Sequence, residues 1–205
     1  MQNSPKVLAF DLGNVLFGFD YTIALNKIKG RMKVTIPEVI YSLYDKNFTI
    51  PFEKGLVTGE EFYRLFMKEF GIDFAYSEFV DAWCKIFFPI LEVIDLVKNL
   101  KGKYPLYLIS NINQLHFEYL NQEYPEVFSL FNGLVLSYAI KSVKPEKEIY
   151  QKLADRAKVT FPELIYIDDR QDLITQAQKF KLNCILFKDC PQLVLDLKKI
   201  NITTE

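Results

Sequence analysis

Several polar residues stand directly after short apolar runs, and their types suit chemistry on an anion. Asp11 follows Val7-Leu8-Ala9-Phe10, Ser110-Asn111 follow Leu106-Tyr107-Leu108-Ile109, and Asp168-Asp169 follow Leu164-Ile165-Tyr166-Ile167. Lys144 precedes Pro145 and an acidic helical start, Glu146 to Glu148. A carboxylate at the end of a buried strand can serve as a nucleophile toward phosphorus or carbon. Ser110-Asn111 adds a hydroxyl and an amide. Two adjacent carboxylates that face a pocket need a cation to relieve their repulsion. Each residue alone has an ordinary alternative: a helix cap, a solvated turn or a surface lysine. Their order, each at an element boundary, is what joins them.

The elements behind these residues follow from the same runs. Four consecutive apolar residues without alternation suit strands buried on both faces of a parallel sheet. Cys184-Ile185-Leu186-Phe187, ending at Lys188-Asp189, is a further such run. Leu91 to Leu100 carries a helical apolar stripe, Pro145 suits the first turn of a helix reaching about Ala157, and Asp172 to Phe180 is a short helix. Strands alternating with helices predict a doubly wound α/β sheet, with ligands beyond the carboxyl ends of its strands.

Residues 17–88 contain no convincing strand and are expected to be helical. Thr35-Ile36-Pro37-Glu38 and Thr58-Gly59-Glu60-Glu61 have the form of capping boxes, and Phe79, Val80, Trp83 and Phe87 form an apolar face. The expected organisation is a core of residues 1–16 and 89–205, with 17–88 inserted as a helical cap.

Composition excludes several classes. The chain has 205 residues, 25 Lys plus Arg against 26 Asp plus Glu, and a net charge of -1. No basic excess supports non-specific nucleic-acid binding or an anionic membrane surface. Cys84, Cys184 and Cys190 are too scattered for a disulfide framework or a zinc site. No signal peptide or membrane-spanning run is evident, so a cytoplasmic protein, monomer or homodimer, is expected.

Taken together, FDLGNVLF (10–17), LISN (108–111), KPEKEIY (144–150) and YIDD (166–169) resemble the four motifs of the haloacid dehalogenase superfamily of hydrolases. The resemblance covers essentially the whole chain and extends to the bacterial DLGNV subgroup of sugar-phosphate phosphatases. It implies a Rossmann-like core and an inserted cap whose FEKG segment (52–55) is the specificity loop. It implies that Asp11 forms an aspartyl-phosphate that water hydrolyses. Mg²⁺ would be held by Asp11, Asp169 and the Gly13 carbonyl with Asp168 close by, Ser110 and Asn111 would bond the phosphoryl oxygens, and Lys144 would neutralise charge. The substrate would be a small phosphorylated metabolite.

The chain departs from the family pattern at three positions. Most phosphatases of the superfamily carry a second aspartate, a general acid and base, where this chain has Gly13. Leu173 replaces a frequent asparagine and Lys181 a usual glycine. Asp20 is a candidate substitute acid or substrate contact, with a helix N-cap as its other role. His116 is placed on the first turns of a helix toward the cap, where an ordinary pKa would make it titrate near neutrality. Two other functions remain open: a metal-independent 2-haloacid dehalogenase, and a catalytically weak phosphate-binding regulator.

Overall fold

The computed structural model describes residues 7–44 and 46–204. Five parallel strands, β1 (Val7–Phe10), β4 (Leu106–Ser110), β5 (Gly133–Leu136), β6 (Leu164–Asp168) and β7 (Asn183–Leu186), form a sheet ordered β5-β4-β1-β6-β7. A separate antiparallel ribbon pairs β2 (Phe17–Phe19) with β3 (Phe87–Pro89). Between the ribbon strands run α1 (Tyr21–Ile28), α2 (Ile36–Leu43), α3 (Lys46–Glu53), α4 (Gly59–Phe70) and α5 (Tyr76–Cys84). After β3 come α6 (Leu91–Leu100), α7 (Gln114–Glu123), α8 (Pro125–Phe128), α9 (Ser137–Ile140), α10 (Lys147–Ala157), α11 (Gln171–Lys179) and α12 (Cys190–Lys199).

The apolar strands separate two cores. One face of the sheet contributes Leu8, Phe10, Leu106, Leu108, Ile165 and Ile167, packed under α6 and α12. The other contributes Val7, Ala9, Ile109 and Tyr166, packed under α10 and α11. The sheet is thus doubly covered, which is why these strands show no polar alternation. The insert has its own aromatic core, with Phe52, Phe62, Phe66, Phe79 and Trp83 buried together. The Thr58 box closes in both directions, Glu61 accepting the Thr58 N–H at 2.7 Å and the Thr58 hydroxyl oxygen accepting the Glu61 N–H at 3.2 Å, whereas at Thr35 only one half forms, Glu38 accepting the Thr35 N–H at 2.7 Å.

The structure corrects the sequence reading in four places. The ribbon strands β2 and β3 lie at the two roots of the insert, where only helix was expected. Gly18 faces Phe88 across that ribbon, and a side chain there would run into the ring. The sheet gains β5 at its edge, a strand not foreseen. The α5 helix ends at Cys84, short of Phe88. Pro145 lies outside its helix, because Glu146 is the N-cap of α10. Lys181, where the family pattern has glycine, takes a left-handed backbone with φ of 68°. Burial pushes the Cys84 and Cys184 thiols up to about 12, so neither is a ready thiolate.

Candidate active site

Parallel pairing of β1 with β4 and with β6 brings three strand ends side by side. Asp11 therefore emerges between Ser110-Asn111 and Asp168-Asp169. Lys144 approaches from the loop before α10, and its Nζ lies 2.7 Å from Asp11 Oδ1 and 2.6 Å from Asp168 Oδ2. All three side chains are buried.

Burial alone would strip the Lys144 proton, but Asp11 and Asp168 outweigh it and hold the ammonium above its usual range. Burial pushes the Asp11 carboxyl up to about 7, with Asp168 adding to the rise and Lys144 only partly opposing it. Asp169 is also pushed up by burial, opposed by a hydrogen bond from Asn14 Nδ2 at 3.1 Å.

Asp168 is fully committed. Its Oδ2 accepts from Lys144 and from the Tyr166 hydroxyl, and its Oδ1 accepts from the Arg170 N–H at 2.9 Å. Asn111 is committed as well: its Oδ1 accepts the Lys144 N–H at 2.7 Å and its Nδ2 donates to the Lys144 carbonyl at 3.0 Å. The Asn111 amide, which also lines the cavity, thus fixes the backbone that carries Lys144. Ser110 is buried at the same strand end.

Asp11, Asn111, Lys144 and Asp169 open into a cavity of about 500 Å³. The core contributes Asp11, Gly13, Asn14, Asn111, Lys144, Asp169, Arg170 and Leu173, among others, and the insert contributes Phe19, Tyr21, Leu43, Tyr44, Thr49, Ile50 and Glu53.

Two expected site residues lie elsewhere. Asp20 is exposed and caps α1, its carboxylate accepting from the Thr22 N–H at 2.8 Å and the Thr22 hydroxyl at 2.7 Å. His116 is buried between the Trp83 and Phe87 rings, with Nε2 3.0 Å from the Trp83 carbonyl and Nδ1 3.0 Å from Asn113 Nδ2. Burial pushes its pKa down to about 3, so it is neutral at physiological pH and makes no switch there. It fastens α7 to α5.

The sequence reading did not name Glu53, Asn14, Arg170 or Tyr166 individually. Glu53 belongs to the FEKG segment, which was the only signal for it. Tyr166 was visible only as an apolar strand residue.

The carboxylates of Asp11, Asp168 and Asp169 each place an oxygen within 4.8 Å of the others. Three carboxyl groups gather about one ammonium, two of them buried and Asp169 half-buried, and all the donors are hard oxygens. That set fits a divalent cation of the Mg²⁺ type.

Fold and site together define a doubly wound α/β protein with a buried carboxylate–lysine cluster at the carboxyl ends of its strands. Residues 5–177 match the haloacid dehalogenase-like hydrolase family, and the chain belongs to that family. It is 24% identical over 173 residues to the D-ribitol-5-phosphate phosphatase of Bacteroides thetaiotaomicron, spanning 80% of this chain and 82% of that protein. A haloacid dehalogenase family enzyme of the same organism, solved in complex with magnesium and inorganic phosphate, superposes with a TM-score of 0.79 at 26% identity, covering 92% of this chain and 98% of the other. A HAD-like hydrolase structure from Porphyromonas gingivalis shares the fold at 20% identity, with a TM-score of 0.81 over 96% and 98% of the two chains. Among the described residues no helix is long and apolar enough to cross a membrane.

Proposed function

We propose that this chain is a Mg²⁺-dependent phosphatase acting on a small phosphorylated metabolite, of the sugar- or polyol-phosphate kind. The observation that carries this reading is the buried Asp11–Lys144 pair opening into the same cavity as Asp169. The phosphatase relative and the magnesium and phosphate complex of the structural neighbour support it.

Asp11 and Asp169, with the Gly13 carbonyl, would hold Mg²⁺, and Asp168 lies behind them against Lys144. Bound there, the cation offsets the charge of an incoming phosphoryl group. Asp11 attacks phosphorus and becomes an aspartyl-phosphate, which water then cleaves. Lys144 stabilises charge on the phosphoryl oxygens and opposes the upward push that burial gives the Asp11 carboxyl. Asp168 and Asn111 hold Lys144 in place, one by its ammonium and the other by its backbone. Ser110 closes the strand end beside Asn111. The insert, residues 17–88 in this reading, covers the strand ends and limits the site to small substrates.

The dehalogenase alternative needs no metal and is disfavoured by the gathering of three carboxyl groups at one site. A panel of phosphorylated metabolites, assayed with and without Mg²⁺, tests the proposal. Turnover that requires Mg²⁺ supports it. Dehalogenation of 2-haloacids in EDTA overturns it.

A further inference from the structure

We propose that Glu53 is the acid–base residue of this site, giving a proton to the departing substrate oxygen and later taking one from the attacking water. The inference rests on the phosphatase reading above. Gly13 has no side chain to supply a proton, and Asp20 is turned into the cap of α1. A proton source must therefore come from another wall of the cavity.

Glu53 is the only carboxylate that the insert contributes to the cavity among the described residues. Its side matters. When Asp11 attacks phosphorus from the strand ends, the leaving oxygen departs on the opposite side, toward the insert. Of the core's lining carboxylates, Asp11 and Asp169 belong to the charged cluster, and Glu146 is engaged by Lys54, Ser142 and the Val143 N–H.

Glu53 is also held in place from the core. The buried Ser137 hydroxyl donates to the Glu53 carbonyl at 2.7 Å and accepts the Ile112 N–H at 2.9 Å. Lys54 pairs with Glu146, and the Lys141 ammonium donates to the Gly55 carbonyl. Three successive residues are thus tied to the core, so the backbone that carries Glu53 is fixed at the cavity wall before substrate arrives.

The surroundings suit an acid. Burial pushes the Glu53 carboxyl above its ordinary range, opposed by the Thr49 hydroxyl, Arg170 and Lys144. Tyr21 and Tyr44 also face the cavity, and burial holds the Tyr21 hydroxyl protonated.

The steps balance. In the first, an Asp11 oxygen bonds phosphorus, the bond from phosphorus to the leaving oxygen breaks, and that oxygen takes the Glu53 proton. In the second, Glu53 carboxylate takes a proton from water, the water oxygen bonds phosphorus, and the bond to Asp11 breaks. Alcohol and inorganic phosphate leave, with both residues restored.

Glu53→Gln keeps the shape and removes the proton. The test follows release of the alcohol in a single turnover, enzyme in excess and Mg²⁺ present, with a polyol phosphate and with 4-nitrophenyl phosphate. Release from the alkyl ester should slow by about 10²-fold or more, and from the aryl ester, whose leaving oxygen needs little protonation, by less than about fivefold. Circular dichroism checks the fold, and Glu53→Asp, still an acid, should outrun Glu53→Gln on the alkyl ester. Equal slowing of both esters, a change in substrate affinity alone, or no advantage of Asp over Gln overturns the acid role and leaves the phosphatase reading standing. A wild-type protein that cleaves neither ester, or Asp11→Asn that cleaves both normally, overturns that reading and this one together.

Discussion

The Lys144 ammonium lies 2.7 Å from the Asp11 carboxylate, and both side chains are almost wholly shielded from water. Neither charge could persist there alone. Desolvation costs several kcal/mol per ion, and the pair with Asp168 offsets it.

Lys144→Met should therefore do more than remove activity. It leaves two buried carboxylates with no counter-charge, a change that costs roughly 3–5 kcal/mol when a buried pair is broken. Urea unfolding in EDTA measures it. Adding Asp11→Asn to that variant should recover part of the loss, and two independent, additive losses would contradict the coupling.

Asp11→Asn by itself keeps the shape of the strand end and removes the attacking oxygen anion. Turnover should fall to background while the far-UV spectrum is unchanged. A variant retaining about a tenth of the wild-type kcat is incompatible with Asp11 as the nucleophile.

Asp20→Ala removes the acceptor of the Thr22 N–H and hydroxyl. Stability should drop by about 1 kcal/mol, as for other N-cap losses. The dependence of rate on leaving group should not change. A selective loss on alkyl phosphates would restore Asp20 as the proton donor and remove Glu53 from that role.

His116 gives stability a defined acid limb. Its pKa is 6.5 when unperturbed and about 3 in the fold, so the unfolded chain binds its proton first as pH falls. The contribution is complete above 6.5 and is lost as pH falls from there toward 3. One proton corresponds to a slope of at most about 1.4 kcal/mol per pH unit. Thermal unfolding across that range should show this component in the wild type and not in His116→Gln. Identical curves would show that the histidine is not desolvated.

Gly55→Ala tests the ties between insert and core. Gly55 has φ of 59°, and a Cβ would lie 2.5 Å from the Tyr138 carbonyl oxygen. The segment must shift, so kcat should fall with little change at the Asp11–Lys144 cluster. Mg²⁺-dependent thermal stabilisation, preserved in the variant, separates this from damage to the metal position.

The sequence made much of this architecture legible, for physical reasons. VLAF, LYLI and LIYI read as strands because burial on both faces leaves no polar alternation, and CILF reads as one although β7 is a half-buried edge strand. The Leu91–Leu100 helix read correctly because its stripe is long and regular. The ribbon did not: β2 carries a glycine and β3 ends on a proline, and only their mutual pairing makes them strands. The β5 edge strand begins at Gly133 and carries only Leu134 to Leu136 as an apolar run before Ser137. At the site, Asp11, Lys144 and Asp168-Asp169 were found because each follows or precedes a marked element boundary. The burial of His116 depends on Trp83 and Phe87, remote in sequence, so neither its pKa nor its role could be read locally. Glu53 was hidden for the same reason, since its place in the cavity wall depends on core residues remote in sequence, such as Ser137.

The position of β1 in the sheet has a consequence for how the molecule comes to exist. It is the middle strand, yet both neighbours, β4 and β6, lie beyond the insert in the chain. As the chain is synthesised, Val7–Phe10 emerges with no partner while the insert, with its own aromatic core, can already collapse. Closing the sheet then means joining segments far apart in sequence, an entropically slow step. Lys144 and the Asp168-Asp169 pair reach Asp11 only with the last of these closures. A half-made chain thus carries Asp11 without the lysine and the two carboxylates that surround it in the finished fold.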